Sequence, residues 1–124
     1  RRRGSMTRDE LLALVADRYQ TTPEYLWERW PGYAVLRNTS NQKWYGVVMD
    51  VPAGRLGLED AAPDERVDIL NVKGDPDDAL VLRLSQDILP AYHMSRRNWV
   101  SVRLARVPSE LVGELIETSR RLTA

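Results

Sequence analysis

The sequence predicts an α+β fold, a two-layer sandwich in which helices cover one face of an antiparallel sheet of about five strands. Two observations predict it. Segments with helical or strand periodicity follow one another in the order helix, three strands, helix, two strands, helix. Polar connections such as "NTSNQ" separate β-rich runs, which is typical of hairpins and therefore of antiparallel pairing. We expect one domain, because 124 residues are enough for one hydrophobic core.

The helices are predicted from their start signals. Thr7 and Glu10 have the spacing of a capping box ahead of the first apolar stripe. Asp75 before Pro76 predicts the N-cap and first turn of the central helix. An extra short helix is predicted near residues 23–30, which begin with a proline and are ended by Pro-Gly. In the last helix, five apolar residues at helical spacing are expected to face inward: Leu111, Val112, Leu115, Ile116 and Leu122.

The strands are predicted from alternation of side chains. In "KWYGVVMDVP" the pattern predicts one face formed by Tyr45, Val47, Met49 and Val51. The opposite face would then hold Trp44, Val48 and Asp50. "RVDILNVKG" predicts the third strand, and "DILPAYHM" and "NWVSVRLARV" predict the last two, with "SRR" as the turn between them.

The first residues, "RRRGSM", indicate an expression-tag remnant at residues 1–5, followed by a single domain at residues 6–124. The whole chain has 18 basic and 18 acidic residues, so its formal net charge is 0. Without Arg1, Arg2 and Arg3 the net charge becomes −3, because the 18 acidic residues remain. A domain of this charge needs a local basic surface to bind a polyanion.

Several classes of function have no support in the sequence. There is no cysteine, so disulfides and thiol chemistry are excluded, and a cytoplasmic location is expected. No apolar run approaches the roughly 18 residues of a membrane span, so we expect no membrane association. The single histidine has no partner for a metal site, and no serine-hydrolase elbow or phosphate-binding glycine motif occurs. We expect no catalytic residue, no metal and no cofactor, and therefore not an enzyme.

The most distinctive stretch is "AYHMSRRNWVSVRL", which contains the only histidine and two adjacent arginines. Arg96 and Arg97 either keep a hairpin soluble or bind phosphate oxygens through their planar guanidinium groups. Trp99 either packs under a helix or stacks on a base. His93 is either a partly buried, hydrogen-bonded residue or a contact for phosphate. The remaining tryptophans are expected in the core, because the chain has no phenylalanine: Trp27, Trp30 and Trp44.

Five segments in this order resemble the MmcQ/YjbR family: "TPEYLWERWPGYAVLRN", "KWYGVVMDVP", "RVDILNVKGDP", "ILPAYHMSRRNWVSVRL" and "PSELVGELIETSRRL". The resemblance covers nearly all of residues 6–124, and "PAYHMSRRNW" is its most specific part. It implies a two-layer fold with helices on one side of the sheet. It also implies DNA binding through two protruding β-hairpins, a double wing.

On this sequence the resemblance places the first wing at residues 38–43 and the second wing at Ser95–Asn98. The family turn commonly reads Met-Asn-Lys, whereas this chain has Met94, Ser95 and Arg96, so a cation is kept and an amide is lost. The main phosphate contacts would be Arg96, Arg97, Lys43 and Arg37, and the secondary ones Arg103 and Lys73. The other residues assigned to this interface are His93, Ser95, Asn98 and Trp99.

Two alternatives to a DNA partner follow from the same residues. The acidic stretch at residues 50–80 and the arginine-rich end at residues 92–124 would suit a protein-interaction or chaperone-like module, as a monomer or a weak homodimer. A small-ligand pocket could instead form around Trp44, His93 and Trp99, since these rings lie in neighbouring predicted strands.

Overall fold

The computed structural model describes residues 4–124, which form three α-helices and five β-strands. Along the chain these are α1 (Arg8–Tyr19), β1 (Ala34–Arg37), β2 (Trp44–Pro52), β3 (Arg66–Lys73), α2 (Pro76–Leu82), β4 (Ile88–Pro90), β5 (Trp99–Arg103) and α3 (Ser109–Thr123), with a short 3-10 helix at Ala53–Leu56. One sheet contains all five strands in the order β1-β2-β3-β5-β4, and every neighbouring pair is antiparallel. The predicted fold class and order of elements are confirmed.

All three α-helices pack on the same face of the sheet. The buried side chains of this layer include Leu11 and Val15 from α1, Ala79 from α2, and Val112 and Ile116 from α3. They contact the apolar residues of the sheet that alternate toward them, among them Leu36, Val48, Leu70, Val72, Val100 and Val102. Within residues 4–124, no helix combines the length and apolar character needed to cross a bilayer.

The helix starts follow the predicted capping. Thr7 Oγ1 accepts from the backbone N–H of Glu10, and the Glu10 carboxylate accepts from the backbone N–H of Thr7 at 2.8 Å, which completes the capping box. The Asp75 carboxylate accepts from the N–H of Asp78 at 3.0 Å, with Pro76 in the first turn.

The inward face of α3 differs from the prediction at its end. Leu122 is 43 % exposed, whereas Ser119 and Thr123 are buried. Ser119 Oγ donates to the carbonyl of Tyr45 at 2.6 Å and accepts from the backbone N–H of Lys73 at 2.9 Å. These bonds fix the rotation of the helix against the sheet, so a hydroxyl residue takes the inward position that apolar spacing assigned to leucine.

Residues 1–5 were predicted to be a tag remnant, and the first three lie outside the described residues. Of the other two, Gly4 accepts at its carbonyl from the backbone N–H of Ser109 at 2.6 Å, at the start of α3. Ser5 is buried. These two residues therefore contact the domain, whatever their origin.

The second face of the sheet carries a smaller apolar cluster of Val35, Val47, Met49, Val51 and Ile69. The helix predicted near residues 23–30 is absent from this region, and the prediction was wrong. Glu24 instead forms an isolated bridge with Val35 at the outer edge of β1. The Glu24 N–H donates to the Val35 carbonyl at 3.0 Å, and the Glu24 carbonyl accepts from the Val35 N–H at 2.8 Å. This pairing satisfies the backbone N–H and carbonyl of Glu24, and Trp27 and Tyr33, which follow it, pack on the second face.

The predicted alternation of β2 is wrong at its start. Tyr45 lies in the helix-side core with Val48, and Trp44 lies on the second face with Val47 and Met49. The pairing of β1 with β2 shifts between Leu36 and Arg37, because Leu36 faces Gly46 while Arg37 faces Trp44. Such a β-bulge adds one residue to a strand and reverses the faces before it. A β-carbon on Gly46 would approach Leu36 Cδ1 to 3.1 Å, so a small residue fits there.

Candidate functional site

The two wings lie at the same end of the sheet. Strands β2 and β5 both pair antiparallel with β3, and each begins directly after a wing. Lys73, the last residue of β3, pairs with Trp99, and Val72 pairs with Gly46. Because only β3 separates β2 from β5, the two strands are roughly 10 Å apart. The fold therefore brings the two predicted wings side by side.

The first wing, residues 38–43, is held by its own backbone and by α3. The N–H of Asn38 donates to the carbonyl of Lys43 at 2.8 Å, and Gln42 adopts a positive φ of 64°. The side-chain amides of Asn38 and Asn41 donate to Thr123 Oγ1 at 2.7 Å and to its carbonyl at 2.8 Å. Lys43 stays exposed.

The second wing, Ser95–Asn98, is part of a longer connection than "SRR" predicts. β4 ends at Pro90, so residues 91–98 join the strands and contain two consecutive turns. The Ser95 carbonyl accepts from the N–H of Trp99 at 3.0 Å, and the Asn98 carbonyl accepts from Gly74 at 2.7 Å. The Arg83 guanidinium donates to the carbonyl of Arg96. These bonds use backbone atoms, so the side chains of the wing remain free to bind elsewhere.

Three of the predicted phosphate contacts are exposed and form no ion pair with another residue in the 4–124 range: Lys43, Arg96 and Arg97. Ser95 is also exposed, while Asn98 is half-buried. Arg121, which the sequence analysis did not select, is exposed two residues before the Thr123 that contacts the first wing. Residues two positions apart point to different sides of a helix, so Arg121 does not share the face of α3 that contacts this wing.

Arg37 is engaged within the chain. Its Nε donates to Glu24 Oε2 at 2.7 Å, and its Nη1 donates to the carbonyl of Gln42 at 3.1 Å. The guanidinium also lies 5.7 Å from the ring centroid of Trp44. These contacts use two of its five N–H donors, and the Glu24 carboxylate offsets its charge, so Arg37 attracts a phosphate less than an unpaired arginine does.

Arg103 is buried, and its side chain is 8 % exposed. Its Nη1 lies 3.0 Å from Asp60 Oδ2 and 3.5 Å from Asp87 Oδ1. The hydrogen bond from Arg103 is the main cause that lowers the pKa of the Asp60 carboxyl. Arg103 also ends β5, at the opposite end of that strand from the second wing. It is a structural residue in this fold.

Lys73 lies between the two wings but next to an acidic group. It is half-buried, and Asp75, Asp77 and Asp78 follow it at the start of α2. The hydrogen bond and negative charge of Asp75 raise the pKa of the Asp78 carboxyl. These carboxylates weaken the attraction of this part of the surface for an anion.

The second face of the sheet contains a pocket of about 230 Å³. Its lining is mainly aromatic: Trp27, Trp30, Tyr33, Trp44, Tyr92 and His93, with Val47, Met49, Met94 and Arg55. We call it the aromatic pocket. It continues into an open groove that also reaches Ser95 and Arg96 of the second wing.

The rings of the aromatic pocket contact one another in sequence. Trp30 stacks on Tyr33 with centroids 5.7 Å apart, and Tyr33 meets the edge of Trp27 at 6.0 Å. Trp27 in turn meets Trp44 edge to face at 5.8 Å. Such contacts support each ring with its neighbour, so the wall is built before any ligand arrives.

Buried polar side chains fix the opposite wall. Asn71 and Ser101 are fully buried on neighbouring strands, and Ser101 Oγ donates to Asn71 Oδ1. The backbone of Tyr92 binds both of them, its N–H donating to Ser101 Oγ at 2.9 Å and its carbonyl accepting from Asn71 Nδ2 at 2.9 Å. His93 follows with a positive φ of 56°, a conformation in which histidine is enriched over most residues.

The aromatic residues differ in part from their predicted roles. Trp27 and Trp44 are half-buried on the second face, and Trp30 is 41 % exposed, so none of the three belongs to the helix-side core. His93 is exposed rather than partly buried. The small-ligand pocket was predicted around Trp44, His93 and Trp99. Trp99 is half-buried and does not line the pocket, so only the first two are found there. Arg55, Tyr33, Tyr92, Met49 and Met94 also line the pocket and were not predicted.

The described residues offer no candidate metal site. Across residues 4–124, no three acidic or histidine side chains come close enough together to hold a metal ion.

An antiparallel α+β sandwich with two adjacent turns at one end of its sheet defines the class of this protein. Comparison with known families gives a match to the YjbR model over residues 16–122. The chain belongs to the YjbR family.

Individual relatives agree with this assignment. The chain is 43 % identical over 119 residues to the uncharacterized protein YyaQ of Bacillus subtilis, covering 95 % of this chain and 98 % of YyaQ. A crystal structure of a Pseudomonas syringae protein is 37 % identical, with a TM-score of 0.90 and coverage of 96 % of this chain and 100 % of that one. The Deinococcus radiodurans protein DR2400, a DUF419 domain, is 25 % identical with a TM-score of 0.70, covering 96 % and 79 %.

Proposed function

We propose that this protein is a DNA-binding module with a regulatory role, whose two wings bind the phosphates of one duplex. The observation that supports it is the position of Lys43, Arg96 and Arg97. These exposed cations lie on two turns at the same end of the sheet, and no carboxylate within residues 4–124 forms an ion pair with them.

The spacing of the wings suits a polyanion. Phosphates repeat about every 3.4 Å along each strand of a duplex, so wings roughly 10 Å apart span several of them. Arginine binds phosphate bidentately, and adjacent arginines give the second wing the larger share of binding. Arg37 and Arg103 are left out of the contact set, because carboxylates of the chain already pair with them.

Binding of this kind is mainly electrostatic and has little base recognition. Ser95 carries no side-chain amide, so Asn98 is the one amide of the second wing that can read a base edge, while Arg96 and Arg97 are assigned to phosphates. We therefore expect weak sequence preference and a salt dependence set by about three phosphate contacts, a slope near −3 in log K against log salt.

The test is fluorescence anisotropy with a labelled duplex over a salt series, using protein that lacks Arg1, Arg2 and Arg3. Arg96→Gln/Arg97→Gln is expected to reduce the slope by about 2, because two phosphate contacts are lost. The control is Arg66→Gln/Arg106→Gln, which removes the same charge at the opposite end of the sheet. It also breaks the ion pairs with Asp50 and Asp60, so its Tm is measured alongside.

The two outcomes are distinct. If both double variants lower affinity equally, the wings are not the contact and only net charge matters. If the parent protein without its first three residues does not bind duplex at all, the proposal falls. We propose that the protein binds DNA and does not catalyse a reaction on it. The alternative role as a protein-interaction module and the cytoplasmic location remain predictions.

A further inference from the structure

The aromatic pocket lies beside the second wing, and of the proposed phosphate contacts only Arg96 reaches its open groove. Its lining is chemically one-sided. Among the residues that line the pocket and its open groove, the charged side chains are Arg55 and Arg96, together with the titratable His93, and none is aspartate or glutamate. Neither arginine forms an ion pair with a described residue.

A pocket of this composition matches a ligand with two parts. Five indole and phenol rings offer apolar faces for a flat ring, while the guanidinium groups at one side attract a negative charge. We propose that the aromatic pocket binds a small anionic aromatic compound, its ring among Trp27, Trp30 and Trp44 and its carboxylate or phosphate at Arg55 and Arg96.

The volume limits the size of the ring. A dry cavity of about 150 Å³ holds a benzene-sized molecule. A pocket of about 230 Å³ therefore accommodates one single- or double-ring group, and the open groove next to it accommodates the charged substituent. A large dinucleotide cofactor would not fit.

The polar atoms around the pocket support a bound ligand. Tyr33 and Tyr92 line it, and within residues 4–124 no hydrogen bond is formed by either phenol hydroxyl. Burial, Tyr92 and the Asp50 carboxylate raise the pKa of the Tyr33 phenol, while the positive charges of Arg66 and Arg55 act in the opposite direction. Buried Asn71 and Ser101 hold the Tyr92 backbone in place, so this wall needs no rearrangement to bind.

Tryptophan side-chain signals provide the test. The chain has four tryptophans, and three of them line the pocket. In ¹H–¹⁵N spectra of the full chain, adenosine monophosphate and indole-3-acetate are titrated, each beside its neutral counterpart, adenosine or indole-3-ethanol. We expect the indole N–H signals of Trp27, Trp30 and Trp44 to shift with at least one anion, and that of Trp99 to shift less.

The charge requirement is tested by substitution. Arg55→Gln is expected to weaken binding of the anion about tenfold and to leave the neutral counterpart unchanged, because only the anion loses a charge-assisted hydrogen bond. Arg18→Gln, on the exposed surface of the helix layer, is the matched control and should change neither. The pair of anions tells whether phosphate or carboxylate is preferred.

Three results would overturn the inference. One is the absence of shifts at the three pocket tryptophans with either anion at millimolar concentration. Another is an equal effect of Arg55→Gln on anion and neutral compound. The third is an equal effect of Arg18→Gln. Arg55 is outside both wings, so DNA binding should survive Arg55→Gln, and failure of either proposal can be recognised separately.

Discussion

Replacing Arg103 by methionine should lower stability without weakening DNA binding. The side chain is 8 % exposed, and its Nη1 lies 3.0 Å from Asp60 and 3.5 Å from Asp87. Arg103→Met removes both contacts, while the unbranched methionine fills much of the same volume. The substitution therefore separates the structural role assigned above from the DNA contact that the sequence predicts for this arginine.

The size of the effect follows from these contacts. A hydrogen bond to a charged group contributes about 1.5–3 kcal/mol. The low end applies to Arg103, because the carboxylates of Asp60 and Asp87 are 41 % and 19 % exposed and regain water. Removal of the buried Nε, which has no hydrogen-bond partner among the described residues, offsets part of the loss. We expect a decrease of about 1.5 kcal/mol in the free energy of unfolding, or about 6 °C in Tm for a domain of this size.

Urea unfolding followed by tryptophan fluorescence measures the stability, and anisotropy with duplex DNA measures the affinity. The ion pair also predicts a pH dependence. Because Arg103 lowers the pKa of Asp60 in the folded state, its stabilising effect is complete above the ordinary carboxyl pKa, near 4, and is lost as the pH falls through the lower folded value. Unchanged stability together with a loss of DNA affinity like that of Arg96→Gln/Arg97→Gln would refute this reasoning.

Two further substitutions test the packing around the sheet. Burial and the facing Asp50 raise the pKa of half-buried Asp68, so the folded state binds its proton more tightly and stability falls as the pH rises through that pKa. Asp68→Asn should therefore raise the free energy of unfolding at pH 7 by up to about 1 kcal/mol and lose this advantage near pH 3. A lower Tm than the parent at pH 7 would contradict it. Tyr45→Phe should lower the free energy of unfolding in urea by about 1 kcal/mol, because Thr21 Oγ1 loses its buried hydrogen-bond partner at 2.5 Å. If that is the cause, the double variant Thr21→Val/Tyr45→Phe should be no less stable than Tyr45→Phe alone.

The elements of the fold could be predicted from local signals, and their exact faces could not. The capping box at Thr7 and the Asp75-Pro76 start act within a few residues, so the sequence shows them directly. The bulge near Tyr45 depends on how β1 and β2 align, which no single strand reveals. Residues 23–30 carry helix signals, yet pairing of Glu24 with Val35 overrides them.

The candidate site shows the same division. Exposure of Arg96 and Arg97 follows from their place in a polar turn, and the sequence was enough to predict it. The burial of Arg103 was not predictable, because its partners Asp60 and Asp87 lie 43 and 16 residues away in the chain. The aromatic pocket was predicted only in part, since Arg55 and Tyr92 join it through the sheet rather than through sequence proximity.

The pairing of Glu24 with Val35 has a consequence for how copies of this protein meet. The outer backbone groups of Val35 already have partners, so a foreign strand cannot extend the sheet there. The other border strand, β4, is three residues long and ends in Pro90, which lacks an N–H to offer. With both borders blunted, stacking into fibrils by strand addition is disfavoured even at high concentration.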